Sequence, residues 1–327
     1  MESQVRVLCD LPTIYADMNV YRYVAYGDIS IKEPERFKWV YSFAHLDEMA
    51  RSGNTDALEG IKFLNAVEIN GVLNESFESV GHIILREYVD PRERYNQHLE
   101  AIAGNEGLID LAAEQLLRLY GADNFNELSL TPEKLLSEVD RLTSNIETEK
   151  RTELLERAKI ASVDLKEHIN THHKNRLPVD QIRLGMGLTS EGRKEAEKSN
   201  TPIDELWKII GPSLGPNIQK NQFFGFEPLP GVEGRGAHTQ DGSLAGAHIV
   251  LNMLGLSPDK GMTKREKIKN IISDSQHVGM ASYCCGLLSA DRRFCDKANA
   301  IYTHVNSHAN VLWFQYKKGS IIQLGIE

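Results

Sequence analysis

Short apolar runs that read as strands are confined to the two ends of this 327-residue chain, and a long charged stretch separates them. That distribution limits the fold more than any other feature. At the front, "RVLCDLPTIYA" (6–16) is a β-flavoured run ending at Asp17, and "DMNVYRYVAYG" (17–27) turns from strand to helix. "FKWVYSF" (37–43) is a second strand, running into the helix "AHLDEMARSG" (44–53) that Gly53 caps. At the back, "CGLLSAD" (285–291), "VLWFQYK" (311–317) and "SIIQLGI" (320–326) read as strands, with a helix in "CDKANAIYTHVNSH" (295–308). Neither end holds enough strands for a stable sheet. The two are therefore expected to fold together into one α/β domain with a central parallel sheet. The expected division is 1–60 for its first half, 61–262 for a mostly helical insertion and 263–327 for its second half.

Within the insertion, "LIDLAAEQLLRLYG" (108–121) is amphipathic. Thr131 and Pro132 carry the signature of a helix start, and Leu135, Leu142, Ile146, Leu154 and Leu155 recur at helical steps. That spacing predicts a long helix or a helical hairpin. Residues 211–261 are too rich in Gly and Pro for long elements, apart from a short helix near 245–254. Charged faces with leucine stripes suit an interface, so the insertion is expected to bind a protein regulator or a second copy of the chain.

The apolar fraction, 41%, suffices for a real core, and the formal net charge of −9 argues against a protein that coats nucleic acid through its global field. A local basic groove, or an acidic site that reaches phosphates through cations, is compatible with that charge. Cys9, Cys284, Cys285 and Cys295 have no zinc spacing and read as reduced, buried residues. No apolar run approaches the roughly 20 residues needed to span a bilayer. Asp10 and Asp17 break any basic-then-apolar leader pattern, so a cytoplasmic protein is expected, with no membrane association.

Four acids fall where strands end or helices begin. Asp17 ends the first strand run, with Asn19 two residues on to hydrogen-bond its carboxylate; Asp17 equally serves as a helix N-cap. Glu48 shares a helical face with His45 in "YSFAHLDEM". Asp274 is read as beginning the helix "DSQHVGMASYC", with His277 following it, and Asp291 closes "CGLLSAD" two residues after Ser289. Four converging carboxylates repel one another unless cations neutralise them. Mg²⁺ and Mn²⁺ do so with oxygen ligands and support phosphodiester hydrolysis.

The order "IYADMNVY…YSFAHLDEM…DSQHVGMASYCCGLLSADRRFCDKANAIY" resembles the PIN domain superfamily of metal-dependent ribonucleases. The resemblance covers about the first and last 60 residues and leaves the middle unmatched. It implies a PIN-like three-layer α/β/α domain and an endoribonuclease that takes Mg²⁺ or Mn²⁺, serving as a toxin or phage-defence effector. Asp17, Glu48, Asp274 and Asp291 would be catalytic metal ligands. Asn19, Ser289, His277 and His45 would orient carboxylates or substrate, although both histidines equally suit structural helix positions. Lys264, Arg265 and Lys267 before Asp274, with Arg292 and Arg293 after Asp291, would line a groove for RNA phosphates. The competing readings are a catalytically inactive PIN-like scaffold that binds a protein through its insertion, and a DNA or flap nuclease. Tyr21, Tyr23 and Tyr26 do not share one helical face, so partial core burial is expected of them rather than base stacking.

Overall fold

Six strands of the computed structural model form one sheet, in the order β5-β4-β3-β1-β6-β7. They are β1 (Thr13–Ala16), β3 (Lys38–Ser42), β4 (Val67–Leu73), β5 (Ser79–Leu85), β6 (Gly286–Ser289) and β7 (Asn310–Trp313), while β2 (Ile29–Ile31) and β8 (Ser320–Ile322) pair separately. The structure describes residues 9–73, 79–103, 131–144, 146–173, 178–228, 238–262 and 264–325. Every pairing in the large sheet is parallel except β4 with β5. This is a mixed α/β protein with a mostly parallel central sheet, as the two apolar ends of the chain required.

β1 is the centre of that sheet, and its sequence shows why. All four residues of "TIYA" are buried, as a strand needs when it has neighbours on both edges and helices over it. Ile14 and Ala16 join the core built with α1 (Met18–Ala25), α2 (Phe43–Ser52) and α3 (Ala57–Phe63). α1 and α3 approach so closely that a Cβ on Gly60 would lie 2.0 Å from the Tyr21 carbonyl oxygen. Only glycine fits there. Tyr21 is fully buried with its hydroxyl on the Val40 carbonyl, Tyr23 is half-buried and Tyr26 is exposed, so the three tyrosines divide as their spacing demanded.

α2 starts from the last strand residue of β3. The Ser42 hydroxyl accepts the Ala44 N–H at 3.3 Å, and the His45 ring accepts the Ser42 N–H at 3.1 Å. His45 thus occupies the place that Glu or Gln takes in a capping box. Gly53 ends the helix in the left-handed region, φ 67°, as expected of it.

The remaining helices are α4 (Pro91–Ile102), α5 (Thr131–Leu142), α6 (Thr148–His173), α7 (Val179–Gly185), α8 (Ser190–Lys198), α9 (Pro202–Ile210), α10 (Lys220–Phe223), α11 (Gln240–Leu254), α12 (Arg265–Ala281) and α13 (Arg292–His304). α9 and α11 pack on α13. α5 and α6 form the expected helical hairpin, joined by Lys166–Glu133 and Arg151–Asp140 ion pairs. The helix expected at 108–121 lies outside the described residues, as does 229–237 of the Gly/Pro-rich passage.

Two differences from the sequence expectation concern its boundaries. β4 and β5 lie beyond residue 60, yet β4 pairs with β3 in the main sheet. The chain clusters into one unit of Met1–Leu99, Met186–Asp259 and Ile272–Glu327, and a second of Glu100–Gly185 and Lys260–Ile271. The stretch outside the sheet-bearing unit is therefore shorter than 61–262. Among the described residues no helix is long and apolar enough to cross a membrane. Cys284 and Cys295 are buried as expected, but Cys9 is exposed.

Candidate functional site

β1 has β3 on one side and β6 on the other, so the chain direction of assembly reverses between β1 and β6. In open α/β sheets the crevice at the carboxyl ends of the strands flanking such a reversal is where ligands bind. Asp17 follows β1 directly, and Asp291 stands two residues beyond the end of β6.

The Asp17 backbone N–H extends the β1–β6 ladder to the Leu288 carbonyl at 2.9 Å. Asp17 holds the N-cap position of α1, but its carboxylate accepts no capping bond. Instead Oδ2 accepts the Ser289 hydroxyl at 2.8 Å, and Ser289 Oγ accepts the Asp291 N–H at 3.0 Å. One hydroxyl thus ties together two acids that are far apart in sequence. Asn19 does not play the part expected of it. It is half-exposed on α1 and, among the described residues, makes no bond to Asp17; the cross-strand Ser289 is closer. Asp291 caps α13, its Oδ1 accepting the Arg293 and Phe294 N–H groups at 2.8 and 3.1 Å, which leaves Oδ2 uncommitted to the cap.

Glu48, in the second turn of α2, has Arg22 Nη2 and His277 Nε2 each 3.6 Å from its carboxylate. Behind it lies a fully buried polar hub. The Tyr15 hydroxyl is 2.7 Å from Ser42 Oγ, 2.7 Å from His277 Nδ1 and 3.3 Å from His45 Nδ1. The partners assign the protons. His45 Nδ1 accepts from the Ser42 backbone, so its Nε2–H donates to the Ala16 carbonyl at 2.8 Å. Tyr15 then donates to His277 Nδ1, which puts the His277 proton on Nε2, facing Glu48. Both histidines therefore hold local structure: His45 bonds the backbone just before Asp17, and His277 faces an acid.

Asp274 corrects the sequence reading. It lies in the third turn of α12 instead of at a helix start, because no Gly or Pro interrupts 265–278 and the segment forms one helix. The Tyr302 hydroxyl donates to the Val278 carbonyl at 2.6 Å, which fixes α13 on α12 one turn from Asp274. On α13, Lys297 is fully buried and its ammonium donates to Asp259 Oδ1 at 2.8 Å and Asn252 Oδ1 at 3.5 Å.

The electrostatics join these groups into one set. Burial raises the pKa of Asp17, His277 opposes that, and Glu48 and Asp291 add to it. Asp274 is pushed well above the ordinary carboxylate range, first by burial and then by Asp259 and Asp17, against the opposing charge of Lys297. For Glu48, burial also pushes upward, but His277, Arg22 and Arg51 outweigh it and hold the pKa below the usual value. Asp17 thus feels the charges of Glu48 and Asp291, and Asp274 those of Asp17 and Glu48. Among the described residues no three His, Cys, Asp or Glu side chains already stand at metal-ligand spacing.

The basic residues divide. Arg292 lies over the Trp313 ring at 4.8 Å and bonds Asp296, and Arg293 is half-exposed beside it. Lys264 and Lys267 are exposed residues of the second unit, and Arg265 opens α12. The sequence reading missed Tyr15, Ser42, Asp259 and Lys297. For Lys297 a signal existed: it falls on the apolar stripe of α13 with Phe294, Ala298 and Ile301, where a charge has to be buried. Compared with known proteins, the chain matches no family model, no curated protein and no solved structure.

Proposed function

We propose that this chain is a PIN-like, divalent-metal-dependent nuclease that hydrolyses RNA phosphodiester bonds. The observation that carries the reading is the bond network at the reversal point of the sheet, in which Ser289 bonds both Asp17 and Asp291 and Glu48 faces the buried His277. Helices over both faces also suit a three-layer α/β/α domain: Ile14 and Ala16 pack in the core shared with α1 and α3, while Tyr15 meets α12 through His277.

An all-carboxylate donor set fits Mg²⁺ or Mn²⁺, which favour oxygen ligands and keep several waters. Among the described residues His277 Nε2 has no closer hydrogen-bond partner than Glu48, which it faces across 3.6 Å. Asp17, Glu48, Asp274 and Asp291 would hold the ion. When bound, it supplies Lewis acidity toward water and the leaving oxygen. The chain's own contribution is orientation and charge. Ser289 fixes the Asp17 rotamer, the α13 cap fixes Asp291, and Arg22 with His277 keeps Glu48 ionised. Burial, and for Asp274 the Asp17 charge as well, disfavours the ionised form of these two acids, a cost that a bound cation would offset.

The test is degradation of a mixed RNA by the purified chain in Mn²⁺, beside the Asp17→Asn/Asp291→Asn double variant. The wild type should consume RNA and the double variant should not. Equal outcomes for the two proteins would remove the nuclease reading and leave the scaffold reading. Parallel assays on single-stranded DNA and branched DNA separate a ribonuclease from a flap nuclease.

A further inference from the structure

Resting on that reading, we propose that the carboxyl edge of the sheet carries a stacking platform for an unpaired nucleic-acid strand, built from Trp313 with Arg292 and from Tyr316 on Tyr23. The platform begins beside the acids. Trp313 ends β7 in parallel register with Ser289, the residue that bonds Asp17, and the Phe314 N–H donates to the Ser289 carbonyl at 3.2 Å. Neighbouring strands lie about 4.8 Å apart, so the Trp313 backbone is one strand spacing from the site. Its indole is 41% exposed, unlike the buried Trp39. The Arg292 guanidinium lies 4.8 Å from the ring centroid, and Arg292 directly follows Asp291.

Three residues on, Tyr316 is 39% exposed and stacks on Tyr23 with centroids 4.1 Å apart and planes 26° from parallel. Its hydroxyl donates to Asp28 Oδ2 at 2.8 Å, which fixes the ring. Lys317 and Lys318 follow, both exposed. Tyr23 lies on α1, the helix that Asp17 begins.

Each aromatic ring therefore has a cation close by in sequence or space, Arg292 for Trp313 and Lys317 with Lys318 for Tyr316. Such a pairing binds single strands: a base lies on a ring while Lys or Arg meets its phosphate. A duplex cannot use it, because its base faces are already stacked inside the helix. Ordinary protection of an edge strand needs charge alone and leaves two ordered, exposed aromatic rings unexplained. The platform selects unpaired strands for the proposed hydrolysis.

The experiment is binding of the full chain, without divalent ions, to fluorescein-labelled oligouridylate and oligothymidylate of about ten nucleotides, and to the same uridylate annealed to its complement. Single strands should bind, and the duplex and the Trp313→Ala variant should each bind roughly tenfold more weakly. Trp313→Phe, which keeps a ring, should retain most of the affinity. The two single-strand arms separate RNA from DNA. Equal binding of duplex and single strand, or wild-type binding by both Trp313→Ala and Tyr316→Ala, overturns the platform while leaving the nuclease reading in place. Ring-dependent binding by a chain that cleaves nothing keeps the platform and removes the hydrolysis. Binding to no strand of either kind overturns the platform, and the nuclease reading then stands or falls on the Mn²⁺ assay alone.

Discussion

Lys297 and Asp259 form an ion pair whose cation is wholly buried, and such a pair is retained only when each charge answers the other. Lys297→Met leaves Asp259 uncompensated beside Asp274, and we expect a loss of about 3–5 kcal/mol in urea unfolding. The Lys297→Met/Asp259→Leu double variant should recover most of it. His248, like His45, contributes to the pH dependence, and its share can be isolated. It is fully buried, neither ring nitrogen has a hydrogen-bond partner among the described residues, and burial with the Lys297 charge holds its pKa well below the usual histidine value. The unfolded chain therefore binds a proton that the folded chain refuses. Stability is present above the unfolded pKa of about 6.5 and is lost as pH falls below it, by about 1.4 kcal/mol per unit. His248→Leu should remove that slope, so the urea midpoints of variant and wild type should diverge between pH 7.5 and 5.5, with the variant the more stable. Asp17 and Asp274 contribute with the opposite sign to both proteins and cancel from the comparison. At this scale the sequence was readable where an acid ended an apolar run, as at Asp17 and Asp291. It was not readable at Asp259, whose neighbours give no periodic signal, nor for Asn19, whose proximity in sequence was outweighed by a serine from another strand.

The packing of α1 against α3 is set by Gly60, since any side chain there meets the Tyr21 backbone. Gly60→Ala should force the two helices apart and cost at least about 1–3 kcal/mol, read as a lowered unfolding midpoint. Helix existence was legible from capping and from apolar steps: Gly53, the α5–α6 hairpin and α11 all lie close to where those signals put them. β4 was less legible. It follows a tight turn in which Asn65 adopts φ 49°, and its buried Glu68, held by Arg94 in a pair of bonds, reads in sequence as one more helical charge. α12 was read as beginning at Asp274 because that residue resembles a cap, and only the absence of a breaker before it shows that the helix starts earlier.

For the whole molecule, the decisive contact joins Asp17 to Ser289 across 272 positions of sequence. Local pattern could indicate that both strands end in polar groups; it could not show that β6 inserts beside β1 or that β4 and β5 extend the sheet on the far side. Those facts follow from burial of strands on both faces, which is a property of the assembled chain. The central claim is that acids from β1, α2, α12 and the end of β6 share a divalent ion. The most direct measurement is Mn²⁺ binding followed by electron paramagnetic resonance on the wild type and on Asp17→Asn/Asp274→Asn. The account predicts saturable binding by the wild type that is lost in the double variant, and the same Mn²⁺ occupancy in both proteins, or none in the wild type, would contradict it.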